Sequence, residues 1–280
     1  MDNEVSPEQA SMVLNMLTSG ASMDTINTPL ALRLIGLAQE LNQDELAQRL
    51  LDHAMDAAKD ESERSWARFE GLKMSDSQLP SFERLAEDLA SGDGMADLDA
   101  AVHHHMALMH LAEDQLAEAR AMIQRSVALR EVANDREGIT YGLAVLVAVA
   151  KRQHDMDTAI AAGTQRIELL TSLNKHRSKM EALADLAHAQ ATIGEFSVAG
   201  NLFEESLELA KELESLSGQL VARWGLADLA EIAEDYQTAM LVLSDCLHAF
   251  MAENQPTPAA VRQRIQDLTA LKGNGRNGDA

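Results

Sequence analysis

One cysteine, Cys246, stands in 280 residues. It has no partner for an internal disulfide, which suits a reducing compartment. Aromatic residues make up only 3% of the chain, so its core must come from Leu, Ala, Val, Ile and Met. Five prolines and fifteen glycines are too few for a loop-rich or collagen-like protein. Runs of β-branched and aromatic residues are scarce as well, which favours helix over strand. Basic residues number 23 against 45 acidic ones, a formal charge of −22. Such a surface repels phosphate backbones and anionic membranes, so nucleic-acid binding is not expected. The longest apolar run, within 139–150, falls short of the ~20 residues a membrane span needs. The N-terminus, MDNEVSPEQASMVLNML, lacks a basic segment ahead of an apolar one and is not a secretory signal. The expectation is a soluble, cytoplasmic protein with no membrane insertion.

What the chain does have is a period. Ala119, Ala159, Ala199 and Ala239 recur at 40-residue intervals, with Leu116, Met156, Phe196 and Tyr236 three residues before each. The best-formed copy is the turn at Gly194-Glu195-Phe196 and the helix after it. Met106, Leu146, Leu186 and Leu226 align at the same offset, as do Ala107, Val147, Ala187 and Ala227. Later in each copy Ser126, Arg166, Ser206 and Cys246 align, three of them small, followed by Val127, Ile167, Leu207 and Leu247. A fixed period of this length marks a repeat array, because one helix pair cannot bury its apolar face alone. Small residues facing one another let the paired backbones approach closely.

In chain order, residues 1–28 form a lead-in with a short helix begun by Ser6-Pro7-Glu8 and ended by Gly20. Residues 29–94 hold two worn copies. Leu30, Leu34, Leu37, Ala38 and Leu41 share a helical face, Asn42-Gln43-Asp44 breaks it, and Leu46, Leu50, Leu51, Ala54 and Ala58 mark the next helix. Trp66 and Phe69 lie on the apolar side of a helix over 61–74. A loop over 75–80 and a short helix over 81–90 follow. Ser91-Gly92-Asp93-Gly94 reads as a flexible seam between two sub-arrays. Residues 95–255 carry four regular units starting near 96, 139, 180 and 220. After Pro256 and Pro258, residues 256–272 supply a capping helix over 259–271, and 273–280 is a tail expected to be disordered by composition.

The pattern of small residues resembles the tetratricopeptide repeat (TPR). Ala107, Ala119 and Ser126 fit it, as do Ala187, Ala199 and Ser206, and Ala227, Ala239 and Cys246. Val147, Ala159 and Arg166 fit less well, and Gly36, Ala47 and Ala54 look like a version with a shorter turn. The 40-residue period is similar to the extended repeats of kinesin light chains and of peptide-sensing bacterial regulators. The resemblance covers residues 29–255. It implies an all-α, right-handed superhelical solenoid of helix-turn-helix repeats, whose first helices line a concave groove for a peptide or partner helix. The implied groove positions are Ala101, His104, Leu108 and Leu111, then Tyr141, Ala144, Ala148 and Lys151. Glu181, Ala184, His188 and Ala191 follow, then Val221, Trp224, Asp228 and Glu231. The Lys/Asn/Arg clamp that some members use for a C-terminal carboxylate is absent. The implied groove is apolar with acidic and histidine points, suited to an amphipathic helix or a basic-tipped peptide.

Other residues that invite chemistry are read two ways. His103-His104-His105 suggests a metal, but consecutive helical residues point ~100° apart and cannot converge on one ion. His103 and His110 share a face with Cα atoms ~10 Å apart. Packing or groove histidines, with a pH-sensitive role, are the alternative. Trp224 is either core or a groove anchor. Gly92-Asp93-Gly94 lacks the Lys-Ser/Thr of a phosphate loop, and no nucleophile elbow occurs. Neither catalysis nor a cofactor is expected. The acidic balance reads as a solubility device or as a complement to a basic partner. The reading is a non-enzymatic interaction scaffold or adaptor. The alternative is a sensory regulator that binds a peptide or small ligand, against which stands a lead-in with no room for an effector domain.

Overall fold

A computed structural model describes residues 7–75, 77–90 and 95–275. Those residues are all-α, with fourteen helices and no strand. The chain divides into two compact units, Met1–Met109 and His110–Ala280. The expected seam at 91–94 lies outside the described residues, as do Ser6 and the tail from 276.

The first unit holds α1 (Pro7–Thr18), α2 (Thr28–Glu40), α3 (Asp44–Ala57), α4 (Glu61–Met74), α5 (Leu79–Ala90) and most of α6 (Ala96–Ala112). Leu14, Leu34, Ile35 and Leu50 are fully buried in its core with Ala47 and Ala54. The cap of α2 is Asn27: its side chain accepts the Leu30 N–H at 3.0 Å. Thr28, the first residue of the helix, is buried, its hydroxyl 3.4 Å from the Ala54 carbonyl. α5 begins at Leu79, so Pro80 opens the helix rather than closing the loop. Gly36 does not mediate a close approach, since a Cβ there would meet nothing within 4 Å. The α2–α3 turn has three residues, as the α6–α7 turn does, so the position matching Ala107 is the buried Ile35.

The second unit holds α7 (Leu116–Ala133), α8 (Arg136–Arg152), α9 (Met156–Ser172), α10 (His176–Thr192), α11 (Phe196–Glu212), α12 (Leu216–Ile232), α13 (Tyr236–Ala252) and α14 (Ala259–Gly275). Each helix packs on its chain neighbours, and α10 also touches both α8 and α12. The first helices of the pairs therefore form a continuous row. They start at 136, 176 and 216, three to four residues before the predicted 139, 180 and 220. For α8 and α12 the caps account for this: Asp135 accepts the Gly138 N–H at 2.8 Å and Ser215 accepts that of Gly218 at 3.2 Å, which starts those two helices before their apolar faces begin. Lys175, ahead of α10, makes no side-chain cap bond. Helix α14 continues past the predicted end at 271 to Gly275, a course open to Gly273 and Asn274, whose helical φ/ψ carries only a propensity penalty.

A shorter period lies beneath the 40-residue one. Asp114, Asn134, His154, Asn174, Gly194, Glu214, Glu234 and Asn254 all have positive φ, 20 residues apart. Each is the left-handed residue that ends a helix. The N–H of the next residue returns to a carbonyl five positions back, as in Glu195 to Gln190 at 3.0 Å and Ser215 to Ala210 at 2.8 Å. Only position 194 carries the residue that adopts this conformation without a steric penalty.

The repeated alanines do what their spacing implies. Ala159, Ala199 and Ala239 are 0% exposed, and Ala187 and Ala227 on the facing helices are equally buried. Polar links staple successive pairs from outside. Arg120 of α7 reaches Asp155 at 2.7 Å and Thr158 at 2.9 Å. Bonds from Thr158 and Arg120 hold the Asp155 carboxyl down at about 2. Arg152 donates to the Leu111 carbonyl at 2.7 Å, and Lys175 pairs with Glu137 at 2.7 Å. The outer side of α14 carries Arg262, Gln263, Gln266 and Asp267, all exposed, while Val261 and Leu268 are buried beneath. That polar face caps the stack.

Candidate partner-binding groove

The row of first helices in the second unit presents Tyr141, Ala144, Ala148 and Lys151 on α8. It continues with Glu181, Ala184, Asp185 and His188 on α10 and with Val221, Trp224, Asp228 and Glu231 on α12. Tyr141 and Val221 are 54% and 46% exposed. Two pockets open between α10 and α12, and His188 lines both.

The larger pocket, about 580 Å³, is lined by His188, Phe203, Gly225, Asp228, Glu231 and Arg264 among others. Arg264 comes from α14. Its Nε donates to Glu231 at 2.8 Å, its Nη2 donates to Asp228, and the guanidinium lies 4.5 Å from the centre of the Trp224 ring. This is a charge-assisted clamp with a cation–π contact. Gly225 forms part of the floor, where a Cβ would fall 2.2 Å from Cζ of the buried Phe203 ring. His188 meets that ring edge-on, centroids 4.9 Å apart. Burial, and then the Lys151 charge, push the His188 pKa below its ordinary value, while Asp228 and Asp185 oppose the shift.

The smaller pocket, about 350 Å³, is lined by Met180, Glu181, Asp185, His188, Ser206 and Val221 among others. Ser206 donates to the Met180 carbonyl at 2.8 Å, which ties its floor to α10. Asp185 lies 3.7 Å from Lys151 Nζ and 3.5 Å from Arg166 Nη1. Arg166 occupies the position that Ser126, Ser206 and Cys246 hold in the other copies. It is 8% exposed, and burial lowers its pKa against the pull of Asp185 and Glu181.

The expected groove residues thus divide. Tyr141, Lys151, Glu181 and His188 lie on the row of first helices, where the resemblance puts them, and Tyr141 also donates to Glu137 at 3.2 Å. Leu111 is half-buried. Trp224 is half-buried and packs against the core of α13 and α14, so it serves partly as core. Asp228 and Glu231 are bound to Arg264 and are not free acidic points. His104 is half-buried and Leu108 is 41% exposed; both lie on the α6 segment of the first unit. Asp185 was readable, one turn after Glu181 on the same face. Arg166 was visible as a break in the small-residue pattern. Nothing local marked Arg264.

The histidine run is spread among different surroundings. His103 Nδ1 lies 2.9 Å from both the Asp99 carbonyl and its Oδ1. His105 sits against Phe82 and Phe69, ring centres 4.6 Å and 5.9 Å away, and burial followed by Lys73 lowers its pKa. His110 Nδ1 bonds Gln115 Oε1 at 2.6 Å in the second unit. Among the described residues, no three His, Cys, Asp or Glu side chains are grouped to hold a metal.

Neither a described protein family nor a curated protein matches this sequence. Solved structures do match. The STAND signal-transduction ATPase with a tetratricopeptide repeat sensor from Pyrococcus horikoshii aligns with TM-score 0.65 and 15% identity over 95% of this chain. The Cut9–Hcn1 hetero-tetramer of the APC/C aligns with TM-score 0.61 and 14% identity over 93% of the chain. The fold is TPR-like. The kinesin light chain-type TPR-like repeats of a Podosopora anserina protein align with TM-score 0.55 and 16% identity, over 80% of this chain and 94% of theirs. This chain spans less than half of the first two structures, 43% and 45%. None of the described helices in this TPR-like chain is long and apolar enough to cross a membrane.

Proposed function

We propose that the protein is a non-enzymatic interaction scaffold, binding a segment of a partner protein in the groove along α8, α10 and α12. The observation that carries this reading is the pair of pockets sharing His188, flanked by the exposed Tyr141 and Val221. A groove with apolar anchors and a few polar points is how helical repeats take up peptides or amphipathic helices. The assembly partner would be a protein rather than nucleic acid, given the charge of −22. Affinity capture comparing the wild type with Val221→Trp and Tyr141→Ala tests it. The reading requires one partner to be lost with both groove variants and kept with Leu241→Lys, on the outer side of α13. Loss only with the α13 variant would overturn it.

A second reading is a sensory regulator, in which the array binds a peptide or small ligand and alters a partner. What favours it is the likeness to repeats that serve as the sensor of the STAND protein. Such a regulator closes measurably on its ligand, whereas a scaffold keeps its dimensions. Small-angle scattering with and without the bound segment separates the two.

A further inference from the structure

The second helices of the array share a pair of positions about one turn apart. Ile123 and Ser126 of α7, Phe203 and Ser206 of α11, and Leu243 and Cys246 of α13 each combine a large apolar residue with a small one. All six are at most 1% exposed. In α9 the pair is inverted: Gly163 stands at the large position and Arg166 at the small one. The joint between α9 and α10 therefore lacks the apolar side chain that anchors the equivalent joints, and it buries a guanidinium instead. On the facing helix Asp185 stands where α12 has Gly225, and its Oδ2 lies 3.5 Å from Arg166 Nη1, at the limit of a hydrogen bond. Arg166 is 8% exposed, and its Nε is buried with no hydrogen-bond partner among the described residues. A buried donor left unpaired is a cost the fold carries. Burial lowers the Arg166 pKa even against the pull of Asp185 and Glu181, so the two carboxylates do not offset the loss of water. Gly163 weakens the joint further, having no side chain to pack and a poor helix propensity. A Cβ there would meet nothing nearer than Leu186 Cδ1 at 3.3 Å, the end of a flexible side chain, so no close backbone approach requires the glycine.

We propose that the α9–α10 joint is a hinge built into the array, at which α7–α9 and α10–α14 shift against each other. Helices in a repeat array are held by contacts with their neighbours, so one weakened joint localises the motion. Tyr141 and Lys151 of α8 lie on one side of the joint, and Glu181, His188 and Val221 lie on the other. Movement at the joint therefore widens or narrows the space between α8 and α10. Asp185 also meets Lys151 of α8 at 3.7 Å, so its carboxylate is shared across the joint. The hinge does not depend on what the groove binds.

The test is pulsed EPR on the full chain, with spin labels on cysteines introduced at exposed, equivalent positions. Cys246→Ser removes the native thiol and copies Ser126 and Ser206. Labels at Glu168 and Glu208 span the α9–α10 joint, and labels at Glu208 and His248 span the α11–α12 joint; all three residues are exposed. Each pair is measured in the otherwise wild-type chain, with Arg166→Met, and with Gly163→Ala. Arg166→Met removes the charge and keeps a long side chain. It strands no buried carboxylate, because Asp185 is 47% exposed and retains Lys151. Gly163→Ala restores helix propensity against a neighbour that can yield, and it carries the comparison if Arg166→Met does not fold by circular dichroism. The expected distance distribution across α9–α10 is about twice as wide as that across α11–α12, and each folded variant narrows it toward the α11–α12 width. Equal widths at the two joints in the wild-type chain would overturn the hinge. A distribution across α9–α10 that stays wide in the folded variants would overturn it as well.

Discussion

Gly225 of α12 lies against the ring of Phe203 on α11, so close that a Cβ would fall 2.2 Å from Cζ and 2.4 Å from Cε1. Phe203 is 1% exposed, and its ring is held edge-on by His188. Alanine at an ordinary helical glycine gains up to ~1 kcal/mol. At Gly225 the overpacking reverses the sign, and Gly225→Ala should cost about 1–3 kcal/mol in denaturant unfolding. Gly200→Ala is the control. Its Cβ would meet only Leu229 at 3.8 Å, ordinary contact, so that variant should gain stability.

The 20-residue series of left-handed turn residues makes a second prediction. Glu214 and Glu234 hold φ of 52° and 59°, a conformation that costs a non-glycine residue about 1 kcal/mol. Glu214→Gly and Glu234→Gly should each raise stability by about 0.5–1 kcal/mol, and Gly194→Ala should lower it by about as much. Thermal unfolding of the three variants side by side measures this. Destabilisation by both glycines would contradict the turn assignment.

Arg264 is the polar bolt between α14 and α12. Arg264→Ala should cost about 1–3 kcal/mol, as loss of charge-assisted bonds does. It should also speed amide exchange across α14 and shift Trp224 emission to the red. Arg264→Lys keeps the charge but not the fork, and should restore only part of both. Unchanged exchange in α14 would show that Val261 and Leu268 hold the helix by themselves.

His188 and His105 share a pH dependence. Burial lowers both values first, assisted by Lys151 for His188 and by Lys73 for His105. Around His188 stand Lys151 of α8, Asp185 of its own helix, Asp228 of α12 and the Phe203 ring of α11. Each histidine prefers the neutral form in the fold more than in the unfolded chain. Their contribution is therefore fully present above the unfolded value near 6.5 and is lost as pH falls through the lower folded value. Imidazole NMR titrations should give midpoints below 6.5 for both, and unfolding stability should decline as pH drops below 6.5. His188→Gln should flatten part of that decline.

The repeat was legible because its strongest constraint is steric. Ala159, Ala199 and Ala239 are each fully buried where backbones meet, so their identity recurs. The left-handed conformation shared by the turns was not legible. Asp114, His154, Glu214 and Glu234 share a backbone conformation but no side-chain property, since the conformation is imposed by the helix ends. Helix starts were placed late because the first turns of α8 and α10 are largely polar and exposed, and apolar periodicity begins after them. The row of first helices was legible, and it carries Tyr141, Glu181 and His188 on α8 and α10. The acidic points were misleading on α12, because the partner of Asp228 and Glu231 comes from Arg264, more than thirty residues on, and charge pairing across that distance leaves no local pattern.

The most direct test of the groove is amide and methyl shift mapping of the chain bound to its partner segment. The expected changes fall on Tyr141, Lys151, Glu181, His188 and Val221, with α9, α11 and α13 little affected on their outer sides. Changes centred instead on Val198, Leu241 and Met251, all exposed on second helices, would contradict it.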